Sequence, residues 1–537
     1  MEKEMVATHP ESSVDVDVEV AEVVIPPKEL DRPFRLWSSL GMQFSVSSTP
    51  LAIGTYLSFV IGIGGSPVFF FGYLLACVMG FCICLSLAEI AAVYPHASGQ
   101  IYWTATLMPK KYSRGLSYVT GWLACCGWFF GTAGCLLITS ELIWALVNVC
   151  HSAFIIQPWH FYLGYVAAGI FGLSMNIPLF RIYPHMLNSL VLLVNGGALF
   201  VLIALLVRAH PKQPASYVFT DIVNATGWSG NGVVFFIGLL PGITAVTGFD
   251  TAAHLTDELP NPKKQVPQVM VGGAVICALS GIPMILVYMF CIVKPDNLLA
   301  PVGGQPIIQL MLDSFDSLAL TILGTLVFIL GFGSTCATVM TVWTRTWWSF
   351  ARENGVPFSG TMSRINEYYR LPVNTICFCF GLLCCLGLIE LGSSTALNAI
   401  LGGLILCLYS SYCLAILGLL IGRRKALRKD HYLNLGRFGT VVNVVSVGWI
   451  LMMIVWLSFP LYLPVTSESM NYASAVFAAV LLCSTVNWFV YSRHIYKAPV
   501  AMYEDQEEDH EHKNEKETPA EEARKQSEED TVASVEN

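Results

Sequence analysis

The stretch GLLPGITAVTGFDTAAHLTDEL, Gly238 to Leu259, decides how this sequence is read. It opens as an apolar helix, carries Pro241, Gly242 and Gly248, and then reaches Asp250. Proline removes a backbone donor and clashes with the preceding turn, and glycine in a helix interior costs about 1 kcal/mol against alanine. A break is therefore expected around Thr247 and Gly248. A second stretch has the same character. FSVSSTPLAIGTYL, Phe44 to Leu57, sets Ser45, Ser47, Ser48 and Thr49 before Pro50, with Gly54 following. Short hydroxyl side chains compete for backbone hydrogen bonds, so this helix is expected to break near Ser47–Leu51. The alternative is a simple proline kink with the hydroxyls bonded back to their own helix.

Both stretches sit in a chain built for lipid. Of its 537 residues 55% are hydrophobic and 12% charged, against roughly 25% charged in soluble domains. Apolar runs near the ~20 residues a bilayer needs fall at 37–60, 67–93, 117–149, 161–180, 186–207, 231–255, 269–293, 318–349, 373–391, 395–421, 440–463 and 472–492. The fold class expected is an all-α integral membrane protein of about twelve transmembrane helices. Lys and Arg crowd the loops on the N-terminal side, including Lys110, Lys111, Arg181, Lys263, Lys264, Arg352, Arg423, Arg424 and Lys425; the other side carries only Arg208, Lys212 and Lys294. The positive-inside rule then places both termini in the cytoplasm. The sequon Asn224-Ala225-Thr226 falls on an outer loop, making Asn224 a glycosylation candidate. Residues 1–35 and 496–537 are rich in charge and are expected to be disordered cytoplasmic tails.

The spans divide into two units of similar length. Residues 36–208 hold the first five, residues 209–422 an outer loop and the next five, and residues 423–495 two more. An odd number per unit inverts the second relative to the first, and inverted repeats with interrupted helices are a hallmark of secondary transporters. Other classes fit less well. The net charge of −8 gathers in the tails and points to no nucleic-acid partner. The 17 cysteines lie largely in apolar runs, as small polarizable packing groups, without metal-ligand spacing. No H-E-x-x-H, paired His boxes or nucleophile elbow points to an enzyme, and no short filter points to a channel.

An ionisable group within the membrane is costly and marks a pathway or relay. Asp250 is thus the main coupling candidate, with a structural hydrogen bond to a neighbouring helix as the competing reading. His254, one turn on, reads as structural. Glu89, at the inner end of the second span, is a second relay candidate, with a salt bridge or cap as its plainer role. Glu141 is expected to reach water, and Arg345 to snorkel from the inner end of the eighth span. In the third span, GWLACCGWFFGTAG (Gly121 to Gly134), Trp128 and Phe129 are the candidates to meet an ammonium by cation–π contact. In the eighth, GFGSTCATVMTVW (Gly331 to Trp343), Ser334 and Thr335 are either ion ligands or interhelical hydrogen bonds.

Three motifs carry a family resemblance: SLAEIAAVYPHASGQIYW (Ser86 to Trp103), GFDTAAHLTDELPNPKKQVP (Gly248 to Pro267) and WSFARENGVPFS (Trp348 to Ser359). With them the chain resembles the amino acid–polyamine–organocation superfamily and, within it, the fungal amino acid/choline transporter family of choline, γ-aminobutyrate and polyamine permeases. The resemblance implies a five-plus-five inverted repeat with two extra C-terminal helices, working by alternating access and without enzymatic activity or cofactor. It places substrate at the two breaks, Ser47, Ser48, Thr49, Pro50 and Leu51 on one side and Thr244, Thr247 and Gly248 on the other. Trp128, Phe129 and Met340 are its wall residues. Some relatives carry a fifth-helix Lys in place of a bound sodium ion. Span 186–207 here has Asn188 and Asn195 but no Lys, and the resemblance favours a proton over sodium as coupling ion. The partners implied are a small-molecule amine, amino acid or quaternary ammonium compound, that ion, and the lipid bilayer, with the plasma membrane favoured over an internal one.

Overall fold

The computed structural model describes residues 36–391, 396–427, 431–467 and 469–499. The tail expected at 1–35, and the one expected at 496–537 from residue 500 on, lie outside the described residues. The first segment is broken into α1 (Leu36–Ser47) and α2 (Thr49–Ala52), continued by a 3₁₀ turn at Ile53–Tyr56. Helix α3 (Gly65–Val93) returns, α4 (Gln100–Leu107) lies in the connection, and α5 (Lys110–Cys150), α6 (Pro158–Asn176) and α7 (Tyr183–Arg208) follow. The sixth segment is again broken, into α8 (Asn231–Ile237), α9 (Leu240–Val246) and a 3₁₀ turn at Ala253–Glu258. After it come α10 (Pro262–Phe290), the connecting α11 (Pro306–Phe315), α12 (Leu318–Arg352), α13 (Val373–Gly387), α14 (Ala396–Ile421), α15 (Gly439–Trp456) and α16 (Ala473–Asn487). Among the described residues, eight helices are long and apolar enough, by length and composition, to cross a membrane. The two broken segments, α6 and α13 complete the twelve expected.

Two segment ends differ from expectation. Helix α5 runs 41 residues, about 60 Å at 1.5 Å per residue, twice the hydrocarbon core of about 30 Å. The segment expected to reach 463 stops being helical at Trp456, because Pro460 and Pro464 cannot donate to a helix ladder. Helix α5 is the axis of the bundle, packed against both α12 and α14. Glycines allow that approach: a Cβ on Gly121 would lie 2.5 Å from the Phe350 ring, and one on Gly127 2.7 Å from Leu408. Small residues at helix contacts let backbones approach where lipid gives no hydrophobic drive.

Three polar residues do not behave as their sequence positions suggest. Tyr496, assigned to a disordered tail, is 1% exposed. Its hydroxyl lies 3.0 Å from Ser117 Oγ and its carbonyl accepts from Arg114 Nε at 3.0 Å, both groups of α5. Glu141 does not simply face water but accepts a hydrogen bond from the Gln305 amide. Arg345 does not snorkel. It is 2% exposed and its Nε donates to Glu258 Oε1 at 2.8 Å, with Glu258 3% exposed. The 3₁₀ turn Ala253–Glu258 folds under the bundle and brings that carboxylate to α12, which removes any need for the guanidinium to reach an interface.

Among the described residues Arg345 Nη1 and Nη2 and Glu258 Oε2 have no hydrogen-bond partner. Breaking a buried pair by removing one partner costs about 3–5 kcal/mol, whereas replacing both by apolar groups is often neutral. Arg345→Met alone should therefore lower the melting temperature of the detergent-purified protein sharply, and Arg345→Met with Glu258→Met should recover most of the loss. Equal melting temperatures for the single and double variants would contradict a buried ion pair.

Candidate functional site

The two broken segments meet at their breaks. Ser48, φ +40°, interrupts the first between α1 and α2. In the second, α9 ends at Val246, Thr247 is extended, and Gly248 has φ +109°. A helix end leaves its last carbonyls without intrahelical donors, and here the first break supplies them. Thr49 Oγ1 donates to Ala245 O at 2.7 Å, Ser47 Oγ to Thr247 O at 3.1 Å, and Gln43 Nε2 to Gly248 O at 2.6 Å. Helix α12 closes the other side: Thr335 Oγ1 lies 3.0 Å from Ser45 O and 2.9 Å from Ser48 Oγ. The hydroxyl run before Pro50 thus bonds across to partner segments as well as back to its own helix, as Ser45 Oγ does to Gly41 O at 2.5 Å.

A cavity of about 60 Å³ lies against these breaks. Val46, Ser47, Thr244, Ala245, Thr247 and Gly248 form its broken-segment wall. Ala52 and Tyr56 of the first segment, Trp128, Gly131, Cys135 and Ile138 of α5, Phe332, Thr335 and Val339 of α12, and Leu401, Leu404 and Leu408 of α14 form the rest. Among the described residues no carboxyl, His, Lys or Arg lines it; its polar groups are hydroxyls, backbone, the Trp128 indole, the Tyr56 phenol and the Cys135 thiol.

Asp250 lies one layer behind, fully buried. Its Oδ1 accepts from Tyr412 OH at 2.5 Å, and its Oδ2 accepts from Gln100 Nε2 at 2.5 Å and Trp128 Nε1 at 3.1 Å. His254 Nε2 stands 2.9 Å from the same Oδ2, and its Nδ1 is 3.0 Å from Ala97 O. The carboxylate is therefore tied to α4, α5 and α14 at once, and one of its donors, Trp128, also lines the cavity.

The expected site residues divide. Ser47, Thr244, Thr247, Gly248 and Trp128 line the cavity, and Thr335 both lines it and reaches the first break. Ser48, Thr49, Pro50 and Leu51 form the break but do not line the cavity; Pro50 O accepts from Tyr288 OH at 3.1 Å. Three expectations are corrected. Phe129 packs at a tilt against Trp343 with centroids 5.0 Å apart, Met340 packs against Gly172 of α6, and Ser334 Oγ bonds back to Leu330 O at 2.8 Å. Each sits one residue from a lining residue, and successive helix positions point in different directions. Glu89 accepts from Arg424 Nη2 at 2.7 Å and Leu435 N at 2.9 Å, the salt bridge of the plainer reading, and no hydrogen bond joins it to Asp250. Gln43, Gln100 and Tyr412 were not singled out in the sequence. The two glutamines were legible as polar groups in or beside apolar runs; Tyr412 carries no local signal.

The chain's similarity to known proteins runs through this whole region. The family model described as amino acid permease matches residues 34–481. The chain belongs to the amino acid permease family, within the amino acid–polyamine–organocation superfamily. Relatives of this permease include the choline transporter of Saccharomyces cerevisiae, 29% identical over 88% of this chain and 84% of that protein. The amino-acid permease 2 of Neurospora crassa is 28% identical over 87% and 86%. The swainsonine transporter of Arthroderma benhamiae is 29% identical over 87% and 92%. The permease is accordingly a multi-pass membrane transporter of small molecules and not an enzyme.

Gly248 gives the geometry a direct check. A Cβ there would lie 3.0 Å from Val46 Cγ1 and 3.4 Å from the Trp128 ring, at a φ that side chains rarely adopt, a strain of about 1–3 kcal/mol. Gly248→Ala should still reach the membrane but lose most uptake; wild-type uptake would show that this break need not hold its shape.

Proposed function

We propose that this permease moves a small amine, amino acid or quaternary ammonium compound across the membrane by alternating access, coupled to a proton held at the Asp250–His254 pair. The proton count at that pair carries the reading. The Ala97 carbonyl can only accept, so His254 Nδ1 bears a hydrogen. A contact of 2.9 Å between Nε2 and Asp250 Oδ2 then needs a proton between them, as imidazolium–carboxylate or as imidazole–carboxylic acid. Either way the pair holds one more proton than a neutral histidine beside a carboxylate. Two further donors on Oδ2 and one on Oδ1 favour the ionised acid. Loss of that proton would leave a buried, uncompensated charge, which is unstable, so proton exchange and rearrangement of the surrounding helices go together.

The substrate class rests on the cavity lining. Aromatic faces at Trp128 and Tyr56 with hydroxyls and carbonyls nearby suit an ammonium group, and Asp250, being saturated with donors, is left to the coupling role. The turning away of Ser334 removes one of the two hydroxyls weighed as sodium ligands and favours the proton. The choline and amino-acid names of the relatives agree with this class.

Expression in a transport-deficient yeast, with choline, γ-aminobutyrate, putrescine and several amino acids at acid and neutral pH, tests the reading. One compound should accumulate, faster at acid pH, and Asp250→Asn should abolish accumulation with surface delivery intact. Normal uptake by Asp250→Asn removes the coupling role. The basic loops favour cytoplasmic termini, and we take the plasma membrane as the site of action. Exposed Asn224 should then carry a glycan, seen as a mobility shift that Asn224→Gln or deglycosylation abolishes; a loop reachable only from the cytoplasm would reverse the orientation.

A further inference from the structure

Glu353 stands in the stretch WSFARENGVPFS, one residue past α12, and nothing above uses it. It is 3% exposed. Its Oε1 accepts from Ser98 Oγ at 2.5 Å, and its Oε2 has no hydrogen-bond partner among the described residues. Buried carboxylates are normally paired or fully hydrogen-bonded. The adjacent Arg352 turns to Asp257 instead, at 3.5 Å. The groups around Glu353 come from four elements. On α12, Ser349 Oγ lies 2.7 Å from Ser98 Oγ. The connection between α3 and α4 supplies Ser98 and, beside it, His96, whose Nδ1 accepts from Ser98 N at 3.0 Å and which burial and then Arg352 hold down at about 3, hence neutral. Helix α5 adds the Cys125 thiol. The segment after α16 adds the Tyr496 phenol and the Lys497 N–H, which donates to Glu353 O at 3.1 Å. None of them forms an ion pair with the carboxylate. Burial pushes the Glu353 carboxyl up to about 8, against the opposing pull of the Ser98 hydrogen bond and Arg352.

The residues on either side of Ser98 hold the coupling pair. Ala97 O receives His254 Nδ1, and Gln100 Nε2 donates to Asp250 Oδ2. Between them Gly99, φ +52°, passes so close that a Cβ would lie 3.0 Å from His254 Cε1. One short connection, His96 to Gln100, therefore grips Glu353 through one residue and the Asp250–His254 pair through its neighbours.

We infer that Glu353 is a second proton-binding site of this permease, linked to the Asp250–His254 pair by the His96–Gln100 connection. The role rests on the proton-coupled reading above. With Glu353 ionised, Ser98 makes a charge-assisted hydrogen bond, roughly twice as strong as a neutral one. A proton arriving on Oε2 neutralises the acceptor and weakens that bond, which loosens the connection that holds Ala97 O and Gln100 in place. Linkage is reciprocal, so a change at Asp250 shifts the proton affinity of Glu353 by the same factor.

Infrared-detected pH titration of the full chain in lipid nanodiscs, with no substrate added, tests this. The wild type should show a protonated-carboxyl band that fades as pH rises through about 8 and that Glu353→Gln lacks. Ser98→Ala removes a donor to the ionised form, so the midpoint should move up by about one unit. Asp250→Asn should move it as well. A wild-type spectrum with no band that Glu353→Gln removes overturns the site, and a midpoint indifferent to Asp250→Asn overturns the link. Should Glu353→Gln fail to fold, Ser98→Ala decides, an unmoved midpoint overturning the assignment. Failure of the coupling reading is distinct: uptake indifferent to pH and to Asp250→Asn strips both sites of a coupling role while the Glu353 band still titrates.

Discussion

The hydrogen bonds between the two interrupted helices are the interaction on which the rest of this structure depends. An interrupted helix inside a membrane frees carbonyls that no water can satisfy, at several kcal/mol each if left alone. Here the first break remedies the second. Thr49, Ser47 and Gln43 supply donors to Ala245 O, Thr247 O and Gly248 O, and Thr335 ties the first break to α12. The second break depends on donors from the first, so the two segments sit side by side. The cavity beside them follows from that adjacency, because the chain that turns away from helical geometry at Ser48 and Gly248 leaves space that side chains of α5, α12 and α14 only partly fill.

Asp250 adds a second constraint, and an electrostatic one. Its donors come from α5, α14 and the connection between α3 and α4, helices that border the cavity or cap it. Displacing any one of these elements relative to the others would strain some of these bonds. The Arg345–Glu258 pair works in the same region, joining the turn that follows Asp250 to α12. Asp250 and Glu258 thus place two buried acids where the second broken segment continues beyond its break, each beside a basic side chain.

Much of this was legible in the sequence for physical reasons. A low share of charge and repeated apolar runs dictate a helical membrane protein, since only helices or closed barrels satisfy the backbone in lipid. Pro50, the hydroxyl run before it, and Gly248 mark the breaks because those residues cannot hold an uninterrupted helix, and the structure breaks there. Asp250 stood out because charge in an apolar run is costly. Less legible were the partners. Tyr412 lies 162 positions from Asp250 in an apolar helix with nothing to distinguish it. Arg345 looked like an interfacial side chain until the turn at Ala253–Glu258 brought a carboxylate to it.

The sequence by itself determined which residues can neither stay helical nor stay charged alone, and so where the breaks and the costly acid must be. Helical phase was left to the tertiary structure. Trp128 faces the cavity and Phe129 packs on Trp343; Thr335 reaches the first break and Ser334 bonds to its own helix; Val339 lines the cavity and Met340 packs on α6. Adjacent residues on a helix differ by about 100° in direction, and an apolar environment on every side gives no amphipathic stripe from which to read the rotation. Only packing against the neighbouring helices sets that angle, and with it which member of each pair belongs to the site.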